Sequence, residues 1–237
     1  MRRSLGGRLT QTTINELALD YKANLGHARH VTTSRRLPRR LTQLYVGLVL
    51  FGVRMGLLVR SRLGNMPWDV LHQGLVRQFG GTIGGWSIAV GVIVLLLWIP
   101  LRQRPGLGTV SNVVLIGVSV DATLLVLPDA GPMAARVAFM VAGVVLNGFA
   151  TALYVGARLG PGPRDGLMTG FVARTGGSVR VVKTLIEVAV VLVGALLGGT
   201  VGFGTVAYVV AIGPIVQVFL HRLTVPIAVA PVATLTR

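Results

Sequence analysis

Long apolar runs alternate with short polar segments over most of the 237 residues. Each run is about 20 residues long, and a helix of that length rises about 1.5 Å per residue and crosses a hydrocarbon layer of about 30 Å. The pattern therefore predicts six membrane-spanning helices. Their predicted ranges are 41–60, 84–101, 108–127, 137–157, 181–200 and 204–222.

The composition excludes a water-soluble globular protein. Hydrophobic residues make up 52% of the chain and charged residues only 13%, which leaves too little polar surface to cover a soluble core. The fold class predicted is an all-α, polytopic membrane helix bundle. The chain has no cysteine, so disulfides and cysteine-ligated metals are excluded.

The apolar spans occur in two copies. A shift of 96 residues aligns 40–127 with 136–223 without a gap, and 32 of the 88 aligned pairs are identical. The copies share a motif that reads "LGNMPWDVLHQGL" at 63–75 and "LGPGPRDGLMTGF" at 159–171. We interpret the alignment as two tandem repeats of three spans each.

The distribution of basic residues predicts that the two repeats have inverted topology. Three is an odd number of spans, so the second repeat enters the membrane from the opposite face. With both termini in the cytosol, the inner segments hold 18 Lys and Arg residues and the outer segments hold 4. The net charge of +16 is thereby explained as a topology signal, and no nucleic-acid partner is expected.

The duplicated motif predicts a short, broken half-helix in each repeat. Proline suits the first helical position, and an acid two residues later lies in the first turn, where the helix dipole favours an anion. About a dozen residues follow before the next glycine pair, enough for roughly half a bilayer. The glycine within each half-helix permits close approach of another helix. These structural residues are Pro67, Gly74, Pro163 and Gly170.

The acids of the motif, Asp69 and Asp165, have two interpretations. Either they only cap their half-helices, or they also face a water-filled vestibule and bind a cation, a proton or a polar group of a substrate. Duplication does not decide between these, because caps are duplicated as readily as sites.

Three further charged residues within the spans are candidates, because intramembrane charges are costly and often functional. Arg54 and Asp121 are expected to form an ion pair, the alternative being that Arg54 extends to the outer interface. Glu187 is expected to pair with Lys183 on its own helix, or else to line a vestibule with Asp165.

The repeated sequences "GLGTV" and "GFGTV" lack the lysine of a phosphate-binding loop, and no strand precedes them. They are predicted to be tightly packed helix entries, through Gly106, Gly108, Gly202 and Gly204. No catalytic constellation, metal site or cofactor motif was found, so we do not expect an enzyme.

The domain organisation expected is a flexible, basic cytosolic extension over 1–40, a transmembrane domain over 41–223 and a C-terminal tail over 224–237.

Three stretches carry a resemblance to a known family: "LGNMPWDVLHQGL", "WIPLRQRPGLGT" and "LGPGPRDGLMTGF". Over Arg35 to Leu223 the chain resembles the YczE-like bacterial integral membrane proteins, which are related to the YyaS/YitT group. The resemblance implies a multi-pass protein of the bacterial cytoplasmic membrane, without a known substrate. Residues 1–30 depart from the family pattern, so Val31 is expected to be the true start.

The leading functional hypothesis is a small secondary transporter or permease, because broken helices in inverted repeats are the geometry of alternating access. The alternative is a membrane-embedded accessory or regulatory protein that acts through a partner, since small-residue faces favour helix contacts. Besides the lipid bilayer, the candidate partners are a small solute or cation, a membrane protein and a second copy of the chain.

Overall fold

The computed structural model describes residues 37–224, and every regular element in that range is an α-helix. Most of the basic extension, and all of the C-terminal tail after Thr224, lie outside the described residues. The helices of the described range are α1 (Leu37–Ser61), α2 (Pro67–Phe79), α3 (Ile83–Trp98), α4 (Leu107–Val126), α5 (Met133–Gly156), α6 (Pro163–Thr175), α7 (Val179–Leu196) and α8 (Phe203–Leu223).

The last four of these helices repeat the first four at a fixed spacing. Each of α5 to α8 begins 96 residues after its counterpart among α1 to α4. Unusual backbone angles recur as well, since φ is 56° at Arg62 and 54° at Arg158, and 124° at Gly64 and 127° at Gly160. A positive φ is uncommon outside glycine, so the two arginines mark the same turn in both halves of the chain.

Four helices of the described range are long and apolar enough to cross a membrane: α1, α4, α5 and α8. A fifth crossing is obtained if α2 and α3, which meet at a bend of 113°, count as one broken span. The other predicted spans correspond to α3, which has only 16 residues, and α7, which carries Arg180, Lys183 and Glu187. Six spans therefore stays a prediction.

The long helices pack through small residues. A Cβ atom at Gly47 of α1 would lie 2.8 Å from the backbone nitrogen of Tyr154 in α5, and one at Gly143 would lie 2.9 Å from Leu58. The first half of α1 thus contacts the end of α5, and the end of α1 contacts the first half of α5. The two helices are therefore antiparallel. At Gly52 an added Cβ would meet Ser119 of α4, and the equivalent Gly148 of α5 faces Ile215 of α8.

Each half-helix packs against the other repeat. In α2, a Cβ atom at Gly74 would lie 2.8 Å from Leu197, which follows α7. In α6, a Cβ atom at the equivalent Gly170 would lie 3.0 Å from Leu101, which follows α3. Both glycines therefore lie in close contact with the other repeat, Gly74 with the end of α7 and Gly170 with the turn after α3. This exchange of contacts brings the first turns of α2 and α6 together in the interior.

Candidate functional site

The two half-helices begin at their prolines, Pro67 and Pro163, as the motif predicts. The turn before each is held by the glycine-rich start of a long helix from the other repeat. Gly204 N donates to Leu63 O at 2.8 Å, and Gly108 N donates to Leu159 O at 2.9 Å. The "GLGTV" and "GFGTV" sequences are therefore helix entries packed against the loops that lead to α2 and α6.

The first acid of the motif is bound by Arg54. Its Nη1 lies 2.5 Å from Asp69 Oδ2, and both side chains are 0% exposed. The guanidinium carbon lies 4.0 Å from the ring centre of Phe51, and Nη1 also contacts Met66 Sδ. Arg54 is thus enclosed beside the first turn of α2, which excludes its extension to the interface.

The predicted pair between Arg54 and Asp121 is wrong. Asp121 instead accepts hydrogen bonds from Thr82 Oγ1 at 2.6 Å and from Gly84 N at 2.8 Å, so it caps the start of α3. The reason is that the chain after α1 turns inward and places the first turn of α2 beside Arg54, where Asp69 reaches the guanidinium.

His72 completes a buried polar cluster with Arg54 and Asp69. It lies one turn after Asp69 on α2, is 0% exposed, and has Nδ1 4.0 Å from Asp69 Oδ1, too long for a hydrogen bond. Five buried atoms of these three side chains have no hydrogen-bond partner: Arg54 Nε and Nη2, Asp69 Oδ1, and His72 Nδ1 and Nε2. Unpartnered polar atoms at this density are uncommon in protein interiors and require explanation.

The second acid of the motif has a different partner. Asp165 Oδ2 accepts a hydrogen bond from the hydroxyl of Tyr154 at 3.1 Å. On α7, Lys183 lies 3.9 Å from Glu187, the expected local ion pair, and Glu187 also lines a small cavity with Asp165. The local ion pair expected for Glu187 is therefore present, and an inner vestibule lined by Glu187 and Asp165 stays a prediction.

Between the two acids lies a contact across the repeats. The guanidinium of Arg164 is 4.9 Å from the ring centre of Trp68, within the range of a cation–π interaction. Each of these residues follows the motif proline of its own repeat, so they occupy the same position in the two copies.

Two small cavities share Trp68 and Arg164 as part of their walls. We call them the first cavity and the second cavity. Their volumes are about 20 Å³ and about 50 Å³, respectively. Six residues of the first cavity are Trp68, His72, Ser87, Val90, Gly91 and Arg164. The residues at the equivalent repeat positions, Arg164, Met168, Lys183, Ile186, Glu187 and Trp68, line the second cavity. The cavities are therefore counterparts of one another under the duplication.

A family model matches residues 38–221, described as a family of unknown function, DUF6198. The chain belongs to this family. The match covers the first repeat, all but the last two residues of the second, and every residue of the two cavities named above. No solved structure matches the chain significantly.

Relatives of this DUF6198 chain cover most of its length. An uncharacterized protein of Haemophilus influenzae is 42% identical over 77% of this chain and 84% of its own length. The uncharacterized membrane protein YczE of Bacillus subtilis is 34% identical over 79% of this chain and 88% of its own length. The uncharacterized protein YyaS of the same organism is 25% identical over 74% and 89%.

These relatives confirm the resemblance to the YczE-like group. YczE is named a membrane protein, and this DUF6198 chain has at least four helices fit to span a bilayer in its described part. It is a membrane protein. None of the names of these relatives states a substrate or an activity.

Sequence reasoning missed part of the site. His72 stood alone in the sequence, and Trp68 and Arg164 were seen only as the variable residue of the Pro-x-Asp motif. The available signal was that this variable position lies between the proline and the aspartate that are duplicated in both repeats. An aromatic ring in one copy and a guanidinium in the other are chemically suited to contact each other.

Proposed function

We propose that this protein is a small secondary transporter or permease of the bacterial cytoplasmic membrane. The observation that carries the proposal is the pair of equivalent cavities on either side of the contact between Trp68 and Arg164. In alternating access, one repeat moves against the other around a central site, so that access passes from one face to the other.

The proposal includes six spans in two inverted repeats, with both termini in the cytosol. The antiparallel packing of α1 and α5 supports the inversion, since these are the first helices of the two repeats. Further support comes from the ends of the helices. Arg40, near the start of α1, donates from Nε to the carbonyl of Ala157 at 2.9 Å, just after α5 ends.

In this arrangement the half-helices α2 and α6 begin near the centre of the protein and run outward to opposite faces. Irregular backbone before a half-helix is tolerated at membrane depth only where protein or water shields it. The loops before Pro67 and Pro163 fit this condition, because each is bonded to the start of a long helix from the other repeat.

Asp69 and Asp165 are the acids that we assign to the transport path, with Arg54 and Glu187 as their charged neighbours. Asp165 and Glu187 line the second cavity, and Asp69 lies one turn before His72, which lines the first. Buried charges of this kind are costly in a membrane and often mark a substrate or ion pathway. Asp121 is not assigned to the path, because both of its carboxylate oxygens bond to the start of α3.

Reconstitution in lipid vesicles tests the proposal. Charge movement is recorded while a panel of amino acids, small carboxylates, inorganic anions and alkylammonium ions is applied. Wild type is expected to give currents with at least one solute, and Asp69→Asn with Asp165→Asn to abolish them. Asp129→Asn changes an exposed acid in the loop between α4 and α5 and serves as the matched control. Silence with every solute contradicts the proposal, as does unchanged flux in the double variant.

A second candidate is the accessory or regulatory protein. The observation in its favour is that α7 buries only Gly194 among its 18 residues, so most of its surface is available to a partner helix. Photocrosslinking from Leu192, which is exposed on α7, distinguishes the two. One stoichiometric membrane partner favours the accessory protein, and crosslinks to lipid alone favour the transporter.

A further inference from the structure

The two equivalent cavities differ in charge. The second cavity holds two acids, Asp165 and Glu187, against two bases, Arg164 and Lys183. In the first cavity the positions equivalent to Lys183 and Glu187 are Ser87 and Gly91. Arg164 is therefore the charged residue of the first cavity, and no acid lines it.

The polar groups of the first cavity have unused donors. Within the described residues the guanidinium of Arg164 makes no hydrogen bond, and it lies 4.9 Å from the ring centre of Trp68. His72 is 0% exposed, lines this cavity, and has no hydrogen-bond partner at either ring nitrogen. Asp69, which lies one turn before His72 on α2, is held by Arg54 at 2.5 Å.

Two more groups in the wall suit an anion. Asn112 contributes a side-chain amide and Ser87 a hydroxyl, and both can donate hydrogen bonds. Pro163 and Arg164 also place the first turn of α6 at this cavity. The partial positive charge of this helix start is already matched by Asp165 in the same turn, so an anion in the cavity depends on Arg164 and the side-chain donors.

The size of the first cavity limits the ligand. A cavity volume of about 20 Å³ is enough for one water molecule, which needs about 10–15 Å³. A small monovalent anion about the size of chloride or nitrate fits such a space, whereas an amino acid or a sugar does not.

We propose that the first cavity is a binding site for one small monovalent anion of about the size of chloride. Arg164 supplies the charge, and His72, Ser87 and Asn112 supply hydrogen bonds. The identification of this anion as the transported or coupled ion rests on the proposed function above, whereas its binding does not.

Binding is measured on the purified full-length protein in detergent, in gluconate buffer at constant ionic strength. Chloride, bromide and nitrate are titrated against thermal unfolding and against tryptophan fluorescence, since Trp68 lines the site. We expect a saturable rise in unfolding temperature. Sulfate, which is larger and divalent, is expected to produce no such rise.

Variants locate the site. Arg164→Gln and His72→Met are each expected to weaken chloride binding about tenfold or more, because each removes a hydrogen bond to a charged ligand. His72→Met installs the residue found at the equivalent position of the second cavity, so it is suited to fold. Arg164→Lys keeps the charge and should recover part of the affinity. Arg180→Gln, an exposed base on α7, is the control and should bind as wild type does.

The outcomes separate this site from the proposed function. No saturable effect of chloride, bromide or nitrate overturns the site, and so does equal binding in wild type, Arg164→Gln and His72→Met. Binding that these variants weaken supports the site, even if vesicles show no anion flux; the missing flux then counts against transport of the anion. Anion flux that neither variant changes overturns the site and leaves the transporter in place.

Discussion

Trp68 and Arg164 occupy the same position in the two repeats and contact each other, with the guanidinium 4.9 Å from the ring centre. A residue that touches its own repeat counterpart lies at the axis that relates the copies. The pair is therefore the boundary between the two cavities. One copy has an aromatic ring at this position and the other has a cation, so the two side chains attract each other through a cation–π interaction. Two identical side chains could not form such a pair.

The first prediction concerns this pair. Trp68→Leu and Arg164→Gln are each expected to destabilise the protein, and the double variant by less than the sum of the two. The coupling free energy should be about 0.5–2 kcal/mol, the range for a partly desolvated cation–π contact. It is measured by unfolding all four proteins of the cycle in detergent. Strictly additive effects would show that the contact contributes nothing.

The second prediction concerns the buried ion pair. Arg54→Met leaves Asp69 charged and 0% exposed, which should cost about 3–5 kcal/mol of unfolding free energy. Adding Asp69→Asn should recover part of that loss, because no unpaired charge remains. The matched control is Lys183→Met in the more exposed pair with Glu187, where a loss of only about 0.5 kcal/mol or less is expected. Equal losses at both pairs would count against a buried, mutually dependent pair at Arg54.

The third prediction concerns the packing of α6 on α3. A Cβ atom at Gly166 would lie 2.5 Å from Cε2 of Trp98, whose indole nitrogen donates to Pro163 O at 3.0 Å. Gly166→Ala should therefore cost about 1–3 kcal/mol through overpacking. Gly213→Ala in α8, where an added methyl group meets nothing within 4 Å, is the control. If both variants keep wild-type stability, α6 does not pack on α3 at this distance.

The fourth prediction concerns pH and the loop between α4 and α5. Asp129 accepts hydrogen bonds from Arg60 at 2.9 Å and Arg62 at 2.7 Å, and the bond from Arg60 is the main cause that lowers the pKa of this carboxyl. A lowered pKa stabilises the folded state above the ordinary value of about 3.9, and the contribution is lost as the pH falls through the lowered value.

The measurement compares wild type with Asp129→Asn. At pH 7 the variant should unfold at a slightly lower temperature, and the difference should disappear at about pH 2.5. The effect is small because all three side chains are partly exposed. A difference that grows on acidification would reverse the sign and contradict the assigned ion pairs.

Much of the fold followed from the sequence alone. Proline and the glycine pairs fix helix ends, and the hydrophobic pattern sets helix lengths, so the starts of α2 and α6 and the offset of 96 residues were predictable. The number of spans could not be predicted in the same way. α3 is short and α7 carries three charged residues, and hydropathy cannot distinguish a helix that crosses the membrane from one that packs inside the bundle.

The charged contacts could not be predicted because they depend on how the chain returns inward after α1. Counting residues along straight helices places Arg54 and Asp121 at the same depth in the membrane. That estimate does not include the inward turn after α1, which places Asp69 beside Arg54. The same turn brings His72 and Trp68 to Arg164, although 92 residues separate His72 from Arg164 in the chain. Such contacts are set by the exchange of half-helices between repeats, which no local pattern encodes.

The central claim is that the two repeats have opposite orientation in the membrane, each with a half-helix that runs from the centre to its own face. Gln78 and Arg174 are equivalent, exposed residues in the last turns of α2 and α6, and the chain has no native cysteine. Gln78→Cys and Arg174→Cys are therefore made separately and treated with a membrane-impermeant maleimide on intact cells. We predict that Gln78→Cys is labelled from outside and Arg174→Cys only after the membrane is opened. Labelling of both from the same face would contradict the inverted arrangement.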